Sequence, residues 1–144
     1  MKYSVEIELD APVEKVVALF DQPGNMKHWM PNMVSFEALS GTPGQVGAKS
    51  LIKFQNKRKV TTMTETVLVR DLPREFSGSY EFQGITYVVK NHFIALSPDK
   101  TRYVSDQDFQ LTGLMKLFGL LMPWMFKRES MKHMAGFKAF VERS

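Results

Sequence analysis

The spacing of apolar residues along this chain switches between two periods, and the switches mark its elements. Residues 2–10 alternate strictly, with Tyr3, Val5, Ile7 and Leu9 on one face and Lys2, Ser4, Glu6 and Glu8 on the other. A period of two is the signature of a half-buried strand. Asp10-Ala11-Pro12 ends that strand and opens a helix, since proline is tolerated in a first turn and an acid there suits the helix dipole. Val13, Val16, Val17 and Phe20 then recur at helical spacing. Beyond the turn cluster Asp21-Gln22-Pro23-Gly24-Asn25, a second short helix is predicted over about 25–30, carrying Met26, Trp29 and Met30 before Pro31 stops it.

From Val34 onward the period returns to two. Val34, Phe36 and Ala38 alternate up to Ser40-Gly41-Thr42-Pro43-Gly44, and Ser50, Ile52 and Phe54 form a third strand closed by Gln55-Asn56-Lys57-Arg58. A fourth strand over about 59–70 is rich in β-branched residues, and Asp71-Leu72-Pro73-Arg74 breaks it. Phe76, Gly78, Tyr80 and Phe82 alternate in the fifth, the sixth spans about 85–96, and the seventh runs over 101–111. Turns this closely spaced favour an antiparallel meander over parallel crossovers.

The last stretch, Leu114–Arg143, reads as helix. As one rod it would be about 45 Å long at 1.5 Å per residue. Pro123 has no N–H and its ring collides with the carbonyl of Gly119, so a break is expected between about Gly119 and Pro123. Upstream, Leu114–Met122 is apolar on nearly every side and is predicted to form a lid. Downstream, an amphipathic helix should seal the sheet with Phe126, Met134, Phe137 and Val141 inward. The order is thus one strand, two short helices, six strands and one long helix, an α+β arrangement. One sheet face must be covered, and only the final helix is long and apolar enough to cover it.

At 144 residues the chain is expected to form one domain. A chain of that size buries roughly 68–70% of its unfolded surface and needs no disulfide or metal staple. With no cysteine, a disulfide framework, thiol catalysis and cysteine-ligated metal sites are excluded. Residues 1–6 alternate rather than forming an apolar signal core, so no signal peptide is expected and the cytoplasm is the expected location. The apolar run 117–126 falls short of the roughly 20 residues a membrane span needs. Net charge is +4, from 19 basic and 15 acidic residues, without the basic stripe of a nucleic-acid binder. Ten methionines and eleven phenylalanines say more: methionine suits both irregular interiors and surfaces that adapt to apolar partners.

The order of elements resembles the START-like (polyketide cyclase/dehydrase and lipid-transfer) superfamily, whose helix-grip fold is shared with the birch pollen allergen. The residues that carry the resemblance are the first strand ending in Asp10-Ala11-Pro12, the helix with Val16 and Phe20, and the Trp29-Met30-Pro31 stop. Gly44-Gln45-Val46-Gly47, Leu72-Pro73 and the closing long helix complete it. The resemblance covers the whole chain and implies a seven-stranded sheet curled round the C-terminal helix, with two short helices between strands one and two. It also implies a cavity for lipids, sterols, polyketides, quinones or hormones, with a minority of members being cyclases, aromatases or hydrolases.

Strand parity supplies candidate cavity walls: Phe36, Phe54, Phe76, Tyr80, Phe82, Tyr87, Val89, Phe93, Tyr103, Phe109 and Leu111, with Leu114, Phe118, Met122 and Met125 from the helical region. A packed core would use the same residues. Asn91 and Gln107 fall on the inward set with Ser105 beside them, and a cross-strand pairing of 91 with 107 would make them a polar pair near mid-sheet. Glu65 shares parity with Met63 and Val67, and buried there it would have a raised pKa and act as acid or base. Strand four reads equally well with Thr62, Thr64, Thr66 and Leu68 inward, leaving Glu65 in solvent. Tyr80 and Tyr87 are candidate donors to a ligand carbonyl.

His28, His92 and His133 have no metal-ligand spacing, no glycine-rich phosphate loop occurs, and no serine sits in a nucleophile elbow. No metal, no cofactor and no assigned catalytic residue are therefore expected. The leading expectation is binding or transport of a small hydrophobic molecule by a monomer or homodimer that does not bind nucleic acid. An enzyme of cyclase or dehydratase type, working by acid–base catalysis on a polyketide-like or other apolar substrate, is the alternative. A third reading gives 117–126, beside Lys127, Arg128 and Lys132, a transient membrane-surface contact; burial of that segment as core is favoured over it.

Overall fold

The first strand, β1 (Lys2–Leu9), buries Val5 and Leu9 and turns Lys2, Ser4, Glu6 and Glu8 to solvent. In the computed structural model, which describes residues 1–144, its whole length pairs with the last strand. Between them run α1 (Val13–Phe20), a 3-10 helix (Pro23–His28), β2 (Met33–Ser40), β3 (Lys49–Asn56), β4 (Lys59–Asp71), β5 (Glu75–Phe82), β6 (Ile85–Ser97) and β7 (Lys100–Gln110). Two further helices, α2 (Gly113–Leu121) and α3 (Pro123–Arg143), close the chain. The seven strands form one antiparallel sheet in the order β1-β7-β6-β5-β4-β3-β2. Register shifts at Met33/Ser35, Ala38/Ser40, Val67/Val69 and Ala95/Ser97 are bulges, which bend and twist a strand and help the sheet curl. This is the helix-grip α+β architecture: a curved sheet around a long C-terminal helix, with two short helices between β1 and β2.

The core gathers where α3, α1 and the 3-10 helix meet the sheet. Leu9, Ala11, Val16, Trp29, Phe93, Phe137, Phe140 and Val141 form one buried cluster. On α3 the buried residues Ser130, Met134, Phe137 and Val141 follow steps of four, three and four, the stripe of a helix lying on a surface. Gly136 permits the close approach: a Cβ there would lie 3.2 Å from Trp29 Cβ.

The structure differs from the sequence pattern in two places and agrees with it at a third. The second short helix starts at Pro23, two residues before Asn25, because Pro23 at its first turn presets the helical φ. The long helix is divided where Pro123 predicts a break. Met122 leaves helical geometry at φ −132° and ψ 55°, and Pro123 begins α3 at the position where its missing N–H is harmless. The run 117–126 is not buried core: Leu117, Leu120, Leu121 and Trp124 are exposed. Past the break α2 packs on α3 and, through Gly119, on Leu111, and turns only Met115 and Phe118 toward the concave face.

Candidate functional site

Side chains directly opposite one another on neighbouring strands share a face of the sheet, so the register decides what meets. Glu65 of β4 is opposite Tyr80 of β5, Tyr80 is opposite Tyr87 of β6, and Tyr87 is opposite Phe109 of β7. Tyr3 of β1 reaches Phe109 diagonally. The rings form a continuous stack: Tyr3–Phe109 at 5.9 Å between centroids and 11° between planes, Phe109–Tyr87 at 4.5 Å and 14°, and Tyr87–Tyr80 at 5.1 Å and 18°. This aromatic row crosses the concave face and ends at the Glu65 carboxyl.

Above the row, between sheet and helices, lies a cavity of about 940 Å³. Of the residues expected on its walls, Phe36, Phe54, Phe76, Tyr80, Tyr87 and Val89 line it from the sheet. Asn91, Tyr103, Gln107 and Phe109 join them, as does Glu65, and Phe118 and Met125 line it from the helices. On β4 the parity is settled: Met63, Glu65 and Val67 point inward, while Thr62 and Leu68 are exposed.

Other expectations fail. Phe93 is buried but belongs to the core, stacked 4.8 Å from Tyr103 and edge-on to Phe20 at 4.9 Å. Phe82 lies near the hairpin end of β5, away from the cavity walls. Leu111 is spent against Gly119. Leu114 is 84% exposed, on the outward side of α2. Met122 is the hinge residue between α2 and α3 and does not line the cavity. Asn91 does not pair with Gln107, for its partner on β7 is Ser105, and Gln107 faces Val89. The Pro98-Asp99 turn and the bulge at Leu96 set that register.

The pattern also missed lining residues. Tyr3 shares the inward parity of Val5 and was legible. Phe20, Met26, Trp29 and Met30 come from α1 and the segment after it, and Ser130, Met134 and Phe137 from α3. Only the apolar, methionine-rich character of those segments signalled them.

The polar groups inside are few and mostly paired. Tyr80 O–H donates to Glu65 Oε2 at 2.8 Å. Burial pushes the Glu65 carboxyl above the usual carboxylate range, an effect the Tyr80 bond partly offsets. Burial, and then the neighbouring Glu65 charge, hold the Tyr80 phenol well above its ordinary value. Tyr87 O–H has only the Met63 sulfur, a weak acceptor, at 3.3 Å. Burial raises its pKa too, with smaller contributions from Tyr3 and Glu65. Tyr103 O–H donates to Asn91 Oδ1 at 2.7 Å, and Asn91 Nδ2 donates to the Phe76 carbonyl at 3.2 Å, so Asn91 is satisfied. The Tyr3 hydroxyl lies 2.8 Å from Ser130 Oγ and 3.1 Å from Gln107 Oε1, tying α3 to β1 and β7.

At one end of the cavity the Arg70 guanidinium makes a two-pronged bond to Asp21, at 2.7 and 2.6 Å, and a third to the Gly44 carbonyl at 3.2 Å. The histidines stay apart. His28 stacks on Phe140, His92 bonds Asp106, and His133 is among the residues that line the cavity from α3, where desolvation lowers its pKa. No three metal-ligating side chains gather anywhere. The site can therefore hold an apolar molecule, accept or donate one proton at Glu65, and offer a hydrogen bond from Tyr87.

The family model for polyketide cyclase/dehydrase and lipid transport matches residues 1–142. Among solved structures, a conserved protein from Geobacillus kaustophilus superposes with a TM-score of 0.83 at 14% identity, covering 100% of this chain and 97% of that one. The Zhui aromatase/cyclase from a Streptomyces species gives 0.76 at 12% identity, covering 99% and 94%. Norcoclaurine synthase from Thalictrum flavum, in complex with dopamine and hydroxybenzaldehyde, gives 0.72 at 17% identity, covering 98% and 86%. At these identities the likeness is one of fold. No curated protein matches the sequence.

Proposed function

The chain belongs to the polyketide cyclase/dehydrase and lipid transport family, and from that premise we propose that it binds a small hydrophobic molecule between sheet and C-terminal helices. The observation that carries this reading is the cavity itself. Its volume of about 940 Å³ is that of a site for a drug-sized or lipid-like molecule, and its walls are mainly aromatic, aliphatic and methionine side chains. A packed core of this size would leave no such space. The ligand's apolar body would lie along the Tyr3–Phe109–Tyr87–Tyr80 row, and its one polar group would be placed by Glu65 and by the weakly partnered Tyr87 hydroxyl. Native mass spectrometry of protein purified without stripping, followed by displacement of a fluorescent fatty acid, tests this. One bound molecule or saturable displacement is expected. Failure of every apolar probe to bind would overturn it.

A second reading is favoured by the Glu65–Tyr80 pair. A carboxyl with a raised pKa, facing an apolar cavity and bonded to a phenol, has the character of an acid–base catalyst for an enolisable substrate. Under that reading, proton exchange on a panel of apolar cyclic ketones, followed by NMR in deuterated water, would be accelerated by the protein and lost in Glu65→Gln.

A further inference from the structure

The outward side of α2 has no partner. Leu114 is 84% exposed, Leu120 78%, Leu121 67% and Leu117 52%, and Trp124, just past the break, is 55% exposed. A surface helix ordinarily turns such residues inward. Here the inward side is already taken: Met115 and Phe118 line the cavity and Gly119 lies against Leu111. Leu114, Leu117 and Leu121 follow helical steps of three and four and share a face, which Leu120 and Trp124 widen. Contiguous exposed apolar side chains of this kind mark an interaction site rather than ordinary surface.

The surrounding charge identifies the occupant. Between Asp108 and Glu129 there is no acidic residue, whereas Lys116, Lys127 and Arg128 are exposed cations, on a chain of net charge +4. We propose that the outward face of α2, with Trp124, docks on the surface of an anionic lipid bilayer. A second copy of the chain would bring like charges together around the leucines, whereas anionic headgroups attract them. The leucines would enter the boundary between headgroups and acyl chains, and Lys116 would reach back to the headgroups along its stem. Tryptophan is favoured at that depth. No helix is long and apolar enough to cross a membrane, so the contact is peripheral. Met115 and Phe118 line the cavity from the same helix, so the docked helix is also one wall of the cavity. The docking does not depend on what the cavity holds.

Full-length protein is sedimented with vesicles of phosphatidylcholine alone and of phosphatidylcholine mixed with phosphatidylglycerol. The wild type should partition to the mixed vesicles and be released by high salt. The Leu117→Asp/Leu120→Asp double variant should lose about tenfold or more of that binding. Lys116→Glu/Lys127→Glu should weaken binding to the mixed vesicles alone. Melting temperatures should be unchanged throughout, since all four side chains are exposed. Sedimentation with neither vesicle, or equally with both, overturns the proposal. So does a dimer in sedimentation velocity that Leu120→Asp dissolves while no vesicle is bound.

Discussion

Tyr80 and Glu65, opposed on β5 and β4, are joined by a 2.8 Å hydrogen bond from phenol to carboxylate inside the cavity. Glu65 is only 8% exposed, and its pKa is the balance of two opposing causes: burial raises it and the Tyr80 bond lowers it. Removing the bond with Tyr80→Phe should therefore move Glu65 further above the usual carboxylate range. NMR titration of carbon-labelled side-chain carboxyls reads this directly. A midpoint that stays put or falls would mean that Tyr80 does not stabilise the charged form.

The same shift makes stability depend on pH. An unfolded glutamate ionises near its ordinary value of 4.5, whereas Glu65 in the folded chain ionises at higher pH. Between the two the folded state holds the extra proton, so this group's contribution to stability falls as pH rises through that window. Below 4.5 both states are protonated and the effect vanishes. Glu65→Gln removes the penalty. Its melting temperature relative to wild type should climb as pH rises from acid to neutral, and a difference independent of pH would contradict the assignment.

Much of this was legible in the alternation of residues alone. Each strand begins and ends within a residue or two of the predicted position, because turn clusters such as Asp71-Leu72-Pro73-Arg74 punctuate a clear period of two. The inward face of β4 was not legible, since Thr62, Thr64 and Thr66 suit a half-buried strand as well as Met63, Glu65 and Val67 do. The partner of Asn91 was hidden for a different reason. The Pro98-Asp99 turn and the bulged residue Leu96 each move the register by one, and together they place Ser105 rather than Gln107 opposite Asn91. Phe93 has the inward parity of a wall residue, yet Phe20 packs over it and converts wall into core. Parity gives a direction but not what lies at the end of it. The outward leucines of α2 depend on the angle between α2 and α3 at Met122, which no local pattern encodes.

Phe137, anchored in the buried core, and Phe118, on α2, both border the cavity, and they should respond differently to truncation. Phe137 is 1% exposed and meets the rings of Trp29, Phe20, Tyr103 edge-on. Phe137→Ala should cost about 3–5 kcal/mol in urea unfolding, the range for a closely surrounded aromatic ring. Phe118 of α2 is half-buried and borders open cavity. It has fewer atoms around it to lose, so Phe118→Ala should cost clearly less. Equal losses would mean that α2 is packed as tightly as the core.

The bond between Arg70 and Asp21 ties the end of α1 to β4 at one end of the cavity. The side chains are 27% and 31% exposed, so solvent screens the pair in part. Its two-pronged geometry keeps both donors aligned, which a single contact between flexible charges does not. A double-mutant cycle with Asp21→Asn and Arg70→Gln should give a coupling of about 1 kcal/mol, at the upper end for partly exposed pairs. Arg70→Lys should recover only part of it, because an ammonium cannot present the fork and must also relinquish the Gly44 carbonyl. High salt should reduce the coupling without abolishing it, since hydrogen-bond geometry, unlike long-range attraction, is not screened. A coupling that vanishes in salt would make the pair an ordinary surface contact. One that persists makes it the strap that fixes this end of the cavity.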